Sequence, residues 1–158
     1  MLFRSNPILN GLETAGNYCF YGCTSFTDAS FENLITAGNG CFQDCTGLTT
    51  PNFSSLTTAG NYCFYGCTNL SSDFINLGTA GEYCFVGCNS LIDPDFSSLV
   101  TAQLSCFSAC SGLIEPVFTN LATAGTQCFY NCINLNSTFP SLVTAGINCF
   151  SEIGRAHV

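Results

Sequence analysis

Apolar residues return along the chain at fixed intervals, as separate columns and not as runs. One Phe column holds Phe20, Phe42, Phe64, Phe85, Phe107, Phe129 and Phe150, and a second holds Phe31, Phe53, Phe74, Phe96, Phe118 and Phe139. A Leu column runs from Leu12 through Leu34, Leu56, Leu77, Leu99 and Leu121 to Leu142; another starts at Phe26 and continues as Leu48, Leu70, Leu91, Leu113 and Leu135. The triplet Thr-Ala-Gly marks each unit, at Thr14, Thr36, Thr58, Thr79, Thr123 and Thr144, with Gln103 replacing the Gly after Thr101 and Ala102. The period is 21–22 residues, the length of one supersecondary unit in a repeat protein. A unit this short cannot bury its inward positions alone, so successive coils must stack and join the columns into one core. About six coils spaced like neighbouring strands, ~4.8 Å apart, span roughly 30 Å.

Two stretches of each unit can be assigned. In Pro51, Asn52, Phe53 and Ser54, Phe alternates with small polar residues, which predicts a short half-buried strand. Pro51, Pro94 and Pro116 share one column position, which suits a strand start. The segment Asn17, Tyr18, Cys19, Phe20 and Tyr21 reads as a single helical turn. It is followed by Gly22, Asp44, Gly66, Gly87, Ala109 or Asn131 in successive units. Five of these six tolerate positive φ, so the position predicts a left-handed stop, with Ala109 the exception. Two units are one residue shorter, between Leu70 and Phe74 and between Leu135 and Phe139. The expected fold is an α/β-type solenoid of 21–22-residue coils, with short parallel strands and short helical turns.

The unit, with its Ala-Gly-x-x-Cys-Phe-x-Gly-Cys-x-x-Leu core, resembles the BspA-type leucine-rich repeat. That family shows Ile-Gly-x-x-Ala-Phe-x-x-Cys-x-x-Leu with a Pro near the strand; here Ala15 stands at the Ile position and Cys19 at the Ala position. Phe20, Cys23 and Phe26 match the Phe, Cys and Leu, as do Phe64, Cys67 and Leu70. The likeness covers nearly all of residues 12–152. It implies a right-handed superhelix with strands on the concave side. It also implies a surface or secreted protein that takes part in adhesion and binds host proteins, with no catalytic residues and no cofactor. The departures are the extra Cys column, Phe where an aliphatic strand residue is usual, and the lack of basic residues.

Twelve of the 13 cysteines form Cys-x-x-x-Cys pairs: Cys19/Cys23, Cys41/Cys45, Cys63/Cys67, Cys84/Cys88, Cys106/Cys110 and Cys128/Cys132. Cys149 would pair with position 153, which is Ile. Three readings are open. Buried thiols acting as small apolar residues are favoured. Disulfides meet the distance requirement between coils but not the side-chain direction. Metal binding suffers from the wrong spacing and the lack of His.

Charge excludes several functions. The chain carries a net charge of -8 and has no Lys; its only basic residues are Arg4, Arg155 and His157, near the ends. Nucleic-acid binding needs a basic footprint, and an anionic membrane surface needs the same. No apolar run reaches the ~20 residues of a membrane helix. Nucleophilic chemistry needs a base beside Ser or Cys, and only carboxylates are available in the repeat, so no enzyme is expected.

The ends depart from the repeat. Residues 1–5 and 153–158 resemble read-through of a sequencing adapter, which leaves 6–152 as a piece of a longer solenoid. Without polar caps such a piece should expose Phe and Leu at both ends and associate end to end. Candidate binding residues are the polar positions flanking the second Phe column: Ser30, Glu32, Asn52, Ser54, Asp73, Asp95, Ser97 and Thr119. Asp28, Asp73, Asp93, Asp95 and Glu115 add an acidic character that would recruit cations or basic partners. A protein-interaction or adhesion module is the leading reading, and a structural spacer the alternative. A less favoured one is an ice-binding Thr ladder, only one residue wide; stacking or capping hydrogen bonds between coils account better for the Thr column.

Overall fold

The computed structural model describes residues 9, 11–27 and 29–154. Residues 1–5 and 155–158, expected to be foreign to the repeat, and the acidic Asp28 lie outside these. Among the described residues seven two-residue strands follow one another: β1 Thr14–Ala15, β2 Thr36–Ala37, β3 Thr58–Ala59, β4 Thr79–Ala80, β5 Thr101–Ala102, β6 Thr123–Ala124 and β7 Thr144–Ala145. They form one parallel sheet in sequence order, with Thr over Thr and Ala over Ala at every step. The chain is therefore a parallel β-solenoid of about six turns.

The continuous sheet lies at Thr-Ala and not at the Phe-flanking segment, a correction to the strand expected at Pro51 to Ser54. That segment has only isolated parallel bridges, Ser30 with Asn52 and Asp95 with Val117. The reason is local. Thr is β-branched and suits the extended backbone, and the Ala side chain is small enough to seat the sheet on the core. Alternation also holds here: Thr faces outward, and Ala is buried from Ala15 to Ala124. The Thr column stacks coil on coil as expected, but as a strand and not as a cap.

The expected helical turns are absent: the described residues contain no helix. Each coil turns through two left-handed positions four residues apart. The first is Tyr18, Gly40, Tyr62, Tyr83, Ser105, Gln127 or Asn148; the second is Gly22, Asp44, Gly66, Gly87, Ala109, Asn131 or Glu152. The second column is the left-handed stop read from the sequence, and Ala109 joins it at φ 58°. Hydrogen bonding explains why a helix cannot form. Tyr18, Phe20 and Gly22 donate their N–H groups to the next coil, to Asn39, Cys41 and Gln43 carbonyls at 2.8 Å each, while Tyr21 and Cys23 close local turns. An α-helix needs every N–H for its own i−4 carbonyl; here alternate ones are spent between coils.

The core is a herringbone of Phe rings. Within the first column rings stack nearly parallel, as in Phe64–Phe85 at 5.1 Å and Phe85–Phe107 at 5.1 Å and 1°. Each ring also meets the second column edge to face: Phe74–Phe85 at 5.0 Å and 74°, Phe85–Phe96 at 5.3 Å and 72°. Offset stacks and edge-to-face contacts at these distances are the arrangements the ring quadrupole favours. Leu34 to Leu121 and Leu48 to Leu135 fill the rest. Towards the ends the packing loosens: Leu9 and Leu12 at one end and Phe139, Leu142 and Phe150 at the other are only half-buried, while Phe20 and Phe26 are buried.

Two outcomes follow. Phe85→Ala removes a ring with four aromatic neighbours and should cost about 3–5 kcal/mol in denaturant unfolding. Ala109→Gly relieves a left-handed alanine and should stabilise the chain by about 1 kcal/mol in the same assay.

Candidate interaction surface

The positions before and after each Phe of the second column form one face, set by the two-residue alternation around a buried ring. Ser30, Asn52, Asp73 and Asp95 precede the ring; Glu32, Ser54, Ser97 and Thr119 follow it. All eight sequence-predicted residues thus share this face. Glu32, Asn52, Ser54, Asp73 and Thr119 are exposed, while Ser30, Asp95 and Ser97 are half-buried.

Several of them also hold the backbone. Asn52 Oδ1 accepts the Ser54 N–H at 3.0 Å, and Asp95 Oδ1 accepts the Ser97 N–H at 2.8 Å. Asp73 Oδ1 accepts the Asp95 N–H at 2.9 Å, a link from one coil to the next. The Ser54 and Thr119 carbonyls receive the side chains of Asn76 and Ser141. The sequence reading, which sought polar positions, missed exposed apolar residues on the same face: Ile75 (41%) and Val117 (44%). Their signal was present, since they occupy the same two columns.

Three cavities open on this face. One of 410 Å³ involves Asn52, Ser54, Ser72, Asp73 and Ile75; one of 210 Å³ lies between Ser71 and Pro94; one of 300 Å³ is bordered by Glu115, Val117, Thr119, Thr138 and Pro140. A fourth cavity, of 590 Å³, sits at the turn between Tyr18, Tyr21 and Gln43. At the equivalent turns two and three coils further on, Tyr62 and Tyr83 stack at 4.9 Å.

The cysteines flank the first Phe column in each turn and serve the fold. All 13 are free thiols; Cys19 is exposed and the others are buried. The second column has a role that the sequence reading did not foresee. Cys45, Cys67, Cys88, Cys110 and Cys132 donate Sγ–H to the carbonyls of Phe20, Phe42, Phe64, Phe85 and Phe107, at 2.9–3.1 Å. Each bond ties one coil to the previous one and occupies a buried carbonyl. Burial pushes the Cys41, Cys45 and Cys132 thiols up to about 12. Among the described residues no three of His, Cys, Asp and Glu are grouped so as to hold a metal ion. No helix among them is long and apolar enough to cross a membrane.

A seven-stranded parallel solenoid with a polar, notched face beside its aromatic core defines a repeat-type scaffold of the leucine-rich class. The sequence profile of the "BspA type Leucine rich repeat region" matches six copies, over residues 3–114 and 55–155. The chain belongs to that family. Its fold is similar to a crystal structure of a T. pallidum leucine-rich repeat protein, with TM-score 0.76 and 22% identity over 96% of this chain and 77% of that one. A leucine-rich repeat protein from Bacteroides ovatus gives TM-score 0.61 and 23% identity over 97% of this chain and 52% of that one. A leucine rich cell surface protein from Faecalibacterium prausnitzii gives 0.53 and 14%, over 89% of this chain and 40% of that one. Comparison with functionally curated proteins returned no match.

Thiol chemistry tests the cysteine assignment. In the native chain one thiol, Cys19, should react with a thiol reagent at pH 8, and the other 12 only after denaturation. A raised folded-state pKa favours the neutral thiol, so this stabilisation is complete below pH 9. Melting temperature should fall as the pH rises from about 9 towards 12, the range set by Cys41, Cys45 and Cys132.

Proposed function

We propose that this chain is a non-catalytic protein-interaction module of a larger cell-surface repeat protein, acting in adhesion. Its binding face is the one flanking the second Phe column. The observation that carries the reading is the coincidence of three cavities with the exposed, variable side chains of one rigid face. Ligand sites are concave, and a surface preorganised by a packed core loses little freedom on binding. The description of the F. prausnitzii protein as a cell surface protein supports the location. The partner is a protein, because the face mixes aliphatic contacts at Ile75 and Val117 with hydroxyls, amides and carboxylates. That mixture matches ordinary protein interfaces.

One observation favours a second reading, a structural spacer. Asp73, Asp93 and Asn89 direct Oδ1 at backbone N–H groups of the next coil, so part of the polar surface is committed to holding coils together.

The two separate in a capture experiment from surface proteins of cells. The combined variant Glu32→Ala, Ser54→Ala, Thr119→Ala should retain its melting temperature within about 1 °C yet lose at least tenfold in affinity for the captured protein. Unchanged affinity in that variant points to the spacer.

A further inference from the structure

The two short coils leave notches with an unusual property. Long coils reach the second Phe through five residues, as in Thr49, Thr50, Pro51, Asn52, Phe53 or Ile114, Glu115, Pro116, Val117, Phe118. Short coils use four: Ser71, Ser72, Asp73, Phe74 and Asn136, Ser137, Thr138, Phe139. Each has lost the residue at the Pro column. A Ser hydroxyl bridges part of the gap: Ser72 Oγ donates to the Pro51 carbonyl at 2.8 Å, and Ser137 Oγ to the Pro116 carbonyl at 2.6 Å. The gap is not fully closed. Phe31, Phe74 and Phe96 donate their N–H groups to the next coil, to the Asn52, Asp95 and Val117 carbonyls at 2.9–3.0 Å. Phe53 and Phe118, which face the short coils, have no such bond among the described residues. The 410 Å³ and 300 Å³ cavities are lined by these two residues. Each notch therefore combines an opening with a bordering Phe whose main-chain N–H has no hydrogen bond among the described residues. Such a donor needs an acceptor, from water or from a ligand.

We infer that the two notches are paired grips for one extended segment of a partner protein, seating main-chain carbonyls on Phe53 N–H and Phe118 N–H. The inference rests on the proposed function of this face. Three coils separate the grips, about 14 Å at the usual strand spacing, which an extended chain covers in about four residues. Carbonyls four apart lie on the same edge of an extended chain, so one strand laid along the coil axis presents one carbonyl to each notch. Charge selects the side chains. Asp73 borders the first notch with one oxygen engaged by Asp95 N–H, Asp93 lies on its far side, and Glu115 borders the second. No cationic side chain of the chain itself stands among the described residues to neutralise them. The segment that fits carries Lys or Arg beside its seated carbonyls.

The test is a titration of the ¹⁵N-labelled chain with a blocked, alternating Lys/Thr hexapeptide. Its Glu/Thr counterpart and the neutral sugar maltohexaose serve as comparisons. The expected result is saturable shifts of the Phe53 and Phe118 amides with the Lys peptide alone, weakened by salt. Inserting a proline between Ser72 and Asp73, and another between Ser137 and Thr138, restores five-residue coils and should abolish the shifts. Asp73→Asn leaves coil length unchanged and should weaken binding up to about fivefold, the range of an exposed ion pair; it decides the matter if the insertion variant does not fold. Shifts from the Glu peptide or from maltohexaose, no shifts at peptide saturation of solubility, or binding that survives both changes would overturn the inference. If the peptide fails while the Glu32, Ser54 and Thr119 variant still loses its captured partner, the grips are wrong and the binding face stands.

Discussion

Ring stacking between coils sets the terms for everything else in this molecule. A Phe ring over the next Phe ring fixes the step from coil to coil at slightly more than 5 Å, close to the spacing of hydrogen-bonded strands. Backbone ladders and ring stacks can then be satisfied together. The edge-to-face contacts of the second column add a sideways constraint, because each ring of one column sits between two of the other. A coil cannot slide or rotate without breaking four ring contacts at once. With the step fixed, the columns beside the rings must be small or regular. Ala seats the sheet, Leu fills the flanks and Cys occupies the inside of the turn.

Tight turns follow from the same step. Each coil reverses direction quickly while its alternate N–H groups reach across to the next coil. Two left-handed residues per coil achieve that, and the positions accept Tyr and Gln as well as Gly and Asn. Left-handed backbone costs an L-residue about 1–2 kcal/mol, so Tyr62 and Tyr83 hold an unfavourable conformation, offset in part by their mutual stacking. The turn also leaves a buried Phe carbonyl with spare acceptor capacity, and the second cysteine column fills it with Sγ–H. Alanine would pack there but could not donate, which is a physical reason for thiols at this position.

Much of the fold was legible because identical positions recur. The Phe, Leu and Ala columns, the coil length and the left-handed position at Gly22 and its equivalents were all readable from spacing. The strand was misplaced because alternation around Phe53 looks like a strand, while Thr14–Ala15, at two residues, is too short for its outward-inward pattern to stand out in sequence. The helical turn was misread because the pattern before Phe20 does not reveal that every second N–H bonds to another coil. Ala109 shows tertiary constraint overriding residue preference: the ladder requires positive φ there, whatever the side chain. On the candidate face, the eight polar residues were chosen by column position. Ile75 and Val117 were missed for being apolar, and the notches because one-residue deletions read as loop adjustments.

Amide hydrogen exchange tests most directly whether stacked rings make one continuous core. Coupled coils should protect the inter-coil N–H groups of Phe64, Phe85 and Phe107 most, with opening free energies that are nearly equal and close to global unfolding, declining towards Phe20 and Cys149. Protection at these three that is low or unrelated between adjacent coils, while the Thr-Ala sheet stays protected, would contradict the account.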